Sequence, residues 1–220
     1  MAKKVVDTWK SKNWYAVMAP KVFNEAKVSE VPALDEEHLM NRVINIPLKE
    51  ITRDLAHMYI SVRLRVTEIK GKSAYTKFIG HSIAREYLHT LVRSRRDALY
   101  IVFGAVSKDE VEFRVKVLIV TAHNCSSAQK TALRNKAVDF LKNKIAREPF
   151  GQFIQGVLYG KASTETYGAL KKIVPLRRVE VYKTELKEVF DVAENQAVPS
   201  AGQEAQKTQA AEETAEAAGE

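Results

Sequence analysis

Residues 59–67, with the sequence YISVRLRVT, alternate strictly between apolar and polar side chains. A period of two residues is typical of a strand that buries one face, so this segment predicts a half-buried β-strand. Its apolar face carries Ile60, Val62, Leu64 and Val66. Lys70-Gly71-Lys72 follows, and a glycine with positive φ would close a hairpin there, with SAYTKFIG as the returning strand. The chain is therefore predicted to build a sheet.

Residues 85–103, REYLHTLVRSRRDALYIVF, change period partway. In the first part Ile83, Tyr87 and Leu91 share one helical face, and Ser82 is the predicted N-cap. The opposite face carries Arg85, His89, Arg93 and Arg96. The sequence predicts an arginine-rich helix that runs through Arg96 and is followed by a strand.

Two long strands are predicted after this helix. Leu99–Ser107 and Glu110–Thr121 both alternate with a period of two, and they meet near Lys108-Asp109. In the second strand the apolar residues at 111, 113, 115, 117 and 119 are predicted to face inward. The two segments together predict a second hairpin.

The third quarter of the chain predicts helices. Ser126 or Ser127 is the predicted cap of a helix with apolar residues at 133, 137, 140, 141 and 145, and Pro149 ends it. Shorter helices are predicted around residues 150–159 and 164–173. RRVEVYKT, which follows Pro175, is predicted to be the last strand.

This order of elements indicates an α+β fold, with a mostly antiparallel, barrel-like β-sheet flanked by helices. Residues 21–190 are predicted to form a single globular domain. They follow a basic N-terminal arm at 1–20 and precede a flexible acidic C-terminal tail at 191–220, which lacks large apolar residues.

Three aromatic residues lie among the lysines of the predicted arm: Trp9, Trp14 and Tyr15. They would either stack on unpaired bases or anchor the arm to the domain. For Trp14 and Tyr15 the sequence favours neither reading.

Charge is spread unevenly along the chain. The formal net charge is +8, but residues 1–190 hold 34 bases against 20 acids, and residues 191–220 hold one base against seven acids. A body of charge +14 indicates a polyanionic partner, because neutralising phosphates releases condensed counterions. Charge alone does not separate RNA from DNA or from an anionic membrane.

The single cysteine, Cys125, excludes an internal disulfide and indicates a reducing compartment. The longest apolar run, Ala98–Val106, is about half of the ~20 residues that a membrane-spanning helix needs. We therefore expect a cytoplasmic protein without a membrane partner.

Three motifs suggest chemistry, and each is better explained without it. GVLYGKAS at 156–163 has three residues between its glycines where a phosphate-binding loop has four, and it predicts a helix end. His123 and Cys125 give two metal ligands where zinc needs about four. Asp109, Glu110 and Glu112 suggest a carboxylate cluster for two-metal chemistry. They are expected at a hairpin tip, where the solubility of the turn explains them better. No catalytic residue, metal or cofactor is predicted.

The basic helices favour phosphate binding over a merely solvated face. Residues 130–147 hold six bases and one acid, whereas solvated helix faces usually mix both signs at i,i+4 spacing. An external anion would relieve the resulting repulsion.

Four segments carry a family resemblance: NWYAVMAPKVF, LRVTEIKGKSAYTKFIGHSIAREYLHTLVRSRRD, SSAQKTALRNK and IVPLRRVEVYKTE. In order and spacing they resemble the eS-one family of small-subunit ribosomal proteins, formerly called S-three-Ae, which archaea and eukaryotes share. The resemblance covers residues 14–185, and the compact length resembles the archaeal members. The acidic tail lies outside it.

The resemblance implies a non-enzymatic protein of the ribosome, with a barrel-like sheet, on the platform of the small subunit near the mRNA exit. It implies contacts with small-subunit rRNA and with neighbouring ribosomal proteins such as S-eleven, and it adds mRNA near the exit as a candidate partner. Two alternatives remain at this point: an RNA-processing enzyme that uses Glu110, Glu112 and a metal, and an RNA-binding regulator that works off the ribosome.

Periodicity, and not the family, selects the candidate RNA-binding residues. They form basic groups on the arm, at the hairpin tip, on the two basic helices and at the start of the last strand. The candidates are Lys10, Lys12, Lys70, Lys72, Arg85, Arg93, Arg95, Arg96, Lys130, Arg134, Lys136, Arg177 and Arg178.

Overall fold

The computed structural model describes Trp9 and residues 12–187. Within these residues it contains eight strands: β1 (Asn13–Met18), β2 (Lys27–Ala33), β3 (Val43–Pro47), β4 (Ile60–Lys70), β5 (Ser73–Ile83), β6 (Ala98–Val106), β7 (Glu112–Thr121) and β8 (Leu176–Leu186). The α-helices of the same part are α1 (Leu48–Thr52), α2 (Arg85–Leu91), α3 (Ser127–Arg147), α4 (Phe150–Leu158) and α5 (Lys161–Leu170). Among the described helices, none has the length and apolar character needed to cross a bilayer.

The β4–β5 hairpin has the predicted form. Lys70 pairs with Ser73, and Gly71 closes the turn with φ +62°, a conformation that glycine adopts without steric cost. Val62, Leu64 and Val66 are fully buried. The alternation in the sequence is therefore the alternation between core and outward faces.

β5 is the branch point of the sheet. It pairs with β4 along its length, with β1 in parallel at Ser73–Tyr75, and with β8 in antiparallel at Gly80–Ser82. β8 continues to β7 and then to β6, while β2 pairs with β1 and β3 with β4. The α+β class and the mostly antiparallel pairing are confirmed. Because β2, β3 and β6 each have one neighbour among the described strands, the sheet is open where the sequence suggested a barrel-like one.

Gly80 and His81 hold β5 against β8. A Cβ built on Gly80 would overlap the carbonyl oxygen of Thr184, so a side chain there would push the strands apart. The buried His81 ring donates from Nε2 to the Val181 carbonyl at 3.0 Å, and its Nδ1 accepts from the Thr184 hydroxyl at 2.6 Å. Burial lowers the pKa of His81 from 6.5 to about 4, so the ring is neutral at pH 7.

The sheet is covered on both faces. α3, α4 and α5 contribute Leu133, Phe153 and Leu170, respectively, to the main core. On the other face, Leu88 of α2 packs with Leu118 and Val120 of β7 in a second, smaller cluster. This second cluster explains why β7 is buried on both faces in its last residues, where the sequence predicted simple alternation.

The arginine-rich helix is shorter than predicted. α2 ends at Leu91, so Arg93, Arg95 and Arg96 lie in the loop that follows and not on a helical face. Ser82 is not its cap, because β5 continues to Ile83 and the helix begins after Ala84 without a side-chain cap.

The predicted arm contains a strand. β1 lies between β2 and β5, and it buries Tyr15 and Val17. Residues 13–18 therefore belong to the sheet, which settles the reading of Tyr15 in favour of the anchor. Of the predicted arm, residues 1–8, 10 and 11 lie outside the described residues. So does the predicted flexible acidic tail at 191–220.

Candidate nucleic-acid interface

α3 has strong signals at both ends. Ser126 accepts through Oγ from the Gln129 amide at 3.3 Å, and Gln129 accepts through Oε1 from the Ser126 amide at 3.0 Å, which makes a capping box. Glu148 and Pro149 follow the last turn. Since the buried stripe at 133, 137, 141 and 145 fixes the orientation of the helix, its basic side chains lie on the remaining sides.

Two of the six bases on α3 form ion pairs with acidic residues that lie outside the helix. Lys130 donates to Asp97 at 2.9 Å, and Lys144 pairs with Glu165 and, at 3.9 Å, with Glu148. Acidic residues of the chain itself therefore relieve part of the predicted repulsion between the α3 bases. Four bases have no ion-pair partner in the described part of the chain: Arg134, Lys136, Lys142 and Arg147.

The loop between α2 and β6 presents the other arginines. Arg93 and Arg95 are exposed, and Arg95 adopts a left-handed backbone conformation with φ 60°. Arg96 is half-buried, and its buried Nη1 has no hydrogen-bond partner among the described residues. Because these residues lie in a loop, Arg93 and Arg96 do not share the single helical face that periodicity predicted.

Asp97 joins this loop to the start of α3. Its carboxylate accepts from Lys130 Nζ at 2.9 Å and from the Cys125 amide at 2.7 Å, and its main-chain amide donates to Thr121 Oγ1 at 3.0 Å. The hydrogen bond from Lys130 and then that from the Cys125 amide hold the pKa of Asp97 below its usual value. The Asp97–Lys130 bridge therefore places the arginine loop beside the first turn of α3. The cations of these two segments are here called the junction surface: Arg93, Arg95, Arg96, Lys130, Arg134 and Lys136.

Arg177 and Arg178 lie at the same end of the sheet. The Pro175 carbonyl, just before β8, accepts from the Ala122 amide at 3.0 Å, next to the loop that Asp97 holds. Arg177 is exposed and has no ion-pair partner among residues 12–187, whereas Arg178 donates from Nε to Glu180 at 2.7 Å. Arg85 is exposed at the first residue of α2.

Lys12, Lys70 and Lys72 form a second group, here called the hairpin surface. The Ala16 amide donates to the Lys72 carbonyl at 2.8 Å, which places the start of β1 beside the hairpin tip. Lys12 lies over the Trp9 ring at 4.6 Å, and Lys70 pairs with Glu68 at 3.3 Å. Because β5 and β8 are antiparallel, the register places this tip and Arg177 on opposite sides of the Gly80–Glu185 pair. Lys10 lies outside the described residues.

Sequence reasoning missed a third set of cations, on the outward face of the sheet. Glu185 of β8 pairs with Arg63 of β4 at 3.6 Å, Lys116 of β7 at 3.4 Å and Lys183 at 2.5 Å. Lys183 foremost, and then Lys116, lower the pKa of Glu185. Alternation predicted that Arg63 and Lys116 face outward, but nothing in the sequence shows that strands so far apart share one carboxylate.

The acidic residues that the enzyme alternative would use lie at the turn between β6 and β7, and two of the three bind other parts of the chain. Asp109 accepts from the Phe150 amide at 2.8 Å, and Glu112 pairs with Lys187 at 2.8 Å, which lowers the pKa of Glu112. Glu110 sits in the turn with φ 59°. Residues 156–163 span the end of α4 and the start of α5, as the rejection of a phosphate loop predicted. In the described part of the chain no three His, Cys, Asp or Glu side chains are grouped to hold a metal ion.

Basic surfaces at both ends of an open sheet are typical of proteins that present cations to a large polyanion. The chain belongs to the Ribosomal S3Ae family, whose profile matches residues 1–189. It is 38% identical to the small ribosomal subunit protein eS1 of Sulfolobus acidocaldarius over 181 residues, 82% of this chain and 92% of that one. The protein of the same name from Saccharolobus islandicus strain L.S.2.15 is 35% identical over 191 residues, 87% of this chain and 90% of that one.

Family membership confirms the resemblance that the sequence carries. It gives the chain a structural role in the ribosome and not an enzymatic one.

Proposed function

We propose that the chain is a structural constituent of the small ribosomal subunit and that it binds folded rRNA through the junction surface and the hairpin surface. The observation that carries the proposal is the Asp97–Lys130 bridge. It brings the loop arginines and the first turns of α3 together, and it leaves Arg93, Arg95, Arg134 and Lys136 exposed with no acidic partner in residues 12–187.

The two surfaces suit phosphate recognition by shape. Arg and Lys that contact the RNA backbone fix its position without reading its sequence, and RNA helices are recognised mostly through phosphates and 2′-hydroxyls. Because the surfaces lie at opposite ends of the sheet, one chain can brace two RNA segments. Arg85 and Arg177 extend the junction surface. Lys10, which lies outside the described residues, is proposed as a further RNA contact from its sequence position alone.

The finer assignment follows from the family. We place the chain on the platform near the mRNA exit, beside neighbours such as S-eleven, with mRNA as a further partner. The folded RNA-binding domain is proposed to begin at β1 and not at residue 21. The acidic residues at 191–220 are proposed to compete weakly with phosphate, because such competition is screened beyond roughly 8–10 Å at physiological salt.

The test replaces three exposed bases of the junction surface, Arg93→Gln, Arg134→Gln and Lys136→Gln, in one chain. The matched control removes three exposed bases elsewhere, Lys21→Gln, Lys49→Gln and Lys108→Gln. Binding to a small-subunit rRNA fragment is measured across a salt series. The slope of log K against log salt is negative, and its magnitude should decrease by about 2.7 for the junction variant, since each phosphate contact contributes about 0.9. For the control it should decrease by less than about 1.

Melting temperatures should stay near the wild-type value in both variants, because exposed charges contribute little to stability. Equal slopes for the two variants would remove the junction surface from the interface. Sedimentation of native lysate tests the ribosomal role itself: the chain should travel with small subunits. A chain found mainly at the top of the gradient would favour an off-ribosome regulator.

A further inference from the structure

A cleft of about 570 Å³ opens beside the start of β8, between α5 and the segment that precedes β4. Its volume lies within the range of small-molecule sites, about 300–1,000 Å³. Its lining is rich in aromatic side chains: Tyr59, Tyr87, Tyr159, Tyr167 and His57. Neither basic surface accounts for these rings.

The rings are arranged in pairs that leave flat surfaces open. Tyr59 stacks on Tyr87 with centroids 4.9 Å apart, and Tyr159 stands edge-on to His57 at 5.6 Å. Tyr59 is nevertheless 44% exposed and Tyr159 57% exposed. Side chains of this size that belong to the core are buried, so much of each ring remains available to another planar group.

The polar groups of the cleft leave a positive rim. Glu180 is held by Arg178 at 2.7 Å, and its second carboxylate oxygen lies 3.5 Å from Ser163 Oγ, so its charge is paired. Arg177 has no ion-pair partner among the described residues. Burial, followed by the charge of Glu180, raises the pKa of the Tyr87 phenol, which therefore stays protonated at pH 7.

We propose that this cleft binds an unpaired nucleotide of RNA, with the base stacked on Tyr159 or Tyr59 and a phosphate at Arg177. The proposal rests on the RNA-binding role proposed above. Proteins recognise single-stranded RNA by stacking splayed bases on aromatic side chains beside a cationic track, and this cleft offers both. It also adjoins the junction surface, because Tyr87 lies on α2, whose last residue leads into the arginine loop. Continuity with that surface favours RNA over an apolar segment of another protein.

The experiment compares three single variants of the full chain. Tyr159→Ala and Tyr59→Ala each remove a proposed stacking surface. Tyr100→Ala is the matched control, because Tyr100 is 54% exposed and edge-on to another ring, Tyr182 at 6.0 Å, but lies on β6 outside the cleft. Fluorescence anisotropy measures binding of a ten-nucleotide oligoadenylate and of a fully paired RNA duplex of the same length.

Loss of one stacked base should weaken oligoadenylate binding about 5- to 150-fold in Tyr159→Ala, with a loss in the same direction in Tyr59→Ala. Duplex binding should change less than about twofold, and Tyr100→Ala should match the wild type with both probes. Equal losses on both probes, no loss in either cleft variant, or an equal loss in Tyr100→Ala would each overturn the proposal.

Its failure is distinguishable from failure of the ribosomal role. A wild-type chain that binds the rRNA fragment but not oligoadenylate overturns the cleft proposal alone, whereas a chain that binds no RNA overturns both. The source of the nucleotide is found by ultraviolet crosslinking of small subunits with and without mRNA. Sequencing of the RNA attached to the peptide that contains Tyr159 then separates rRNA from mRNA, and a Tyr159 peptide that never crosslinks to RNA contradicts the proposal.

Discussion

α2 and α3 both begin basic segments of the chain, but α3 continues for 21 residues and α2 ends after seven. α3 has a capping box and buries four residues against the main core. α2 has no side-chain cap and buries only Leu88. Helices shorter than about 12–15 residues are marginal on their own, so α2 depends on the small cluster under it. In this chain the length of the buried stripe, and not the repeat of charges, decides how far a basic helix extends.

The largest expected effects come from variants that create a cavity under each helix. We expect Leu133→Ala in α3 to lower the free energy of unfolding by about 3–5 kcal/mol, and Leu88→Ala in α2 by about 2–3 kcal/mol. Leu133 is fully enclosed in the main core, whereas Leu88 belongs to the small cluster at the surface. Urea denaturation followed by circular dichroism measures both. Equal losses would show that α2 is as integral to the fold as α3.

A second test weakens the sheet without touching either basic segment. His81 has a pKa of about 4 in the folded chain and 6.5 as its ordinary value, so between these pH values the unfolded state binds more protons. The free energy of unfolding is therefore highest above pH 6.5 as far as His81 is concerned. It should fall by about 3 kcal/mol as the pH is lowered from 6.5 to 4. Urea denaturation at several pH values measures this fall in the free energy of unfolding, here called the step.

Two variants decide whether His81 causes that step. His81→Gln should be less stable at pH 7 but should lose the step. His89→Gln, at an exposed histidine of α2, is the control and should keep it. Persistence of the step in His81→Gln would assign it to another group.

The smallest test removes the signal that α3 has and α2 lacks. Ser126→Ala should lower the free energy of unfolding by about 1 kcal/mol, because it leaves the Gln129 amide without its acceptor. Ser127→Ala, one residue later and also exposed, should change it by less than about 0.5 kcal/mol. Thermal melts of the two variants decide between them. If they lose equal stability, capping does not explain why α3 is the longer helix.

The sequence predicted the local elements well wherever a pattern ran long enough. The alternation before Gly71, the cap at Ser126 and the apolar stripe of α3 are all where they were expected. β1 was missed because the strand is only six residues long and its first two residues, Asn13 and Trp14, are both exposed. Short strands take their stability from pairing with other strands, and that pairing is not visible in the segment itself.

The candidate interface was predictable in composition but not in arrangement. Basic residues could be counted, but the end of α2 at Leu91 and the bridge from Asp97 to Lys130 depend on contacts between distant segments. The same holds for Glu185, which gathers cations from three strands. Long-range pairing of this kind is a tertiary property, so a single sequence gives no signal for it.

The close approach at Gly80 has a consequence for the order of folding. β5 meets β8 across roughly one hundred residues of chain, and β8 is the last strand among the described elements. During synthesis, β5 leaves the ribosome long before β8 has been made. The edge of β5 at Gly80 is therefore unpaired until β8 follows. Contacts between such distant residues form slowly, because loop closure must be completed first. We therefore expect the docking of β8 to be the late, rate-limiting step of folding. Gly80 permits this docking, because it has no side chain that would meet the backbone of β8.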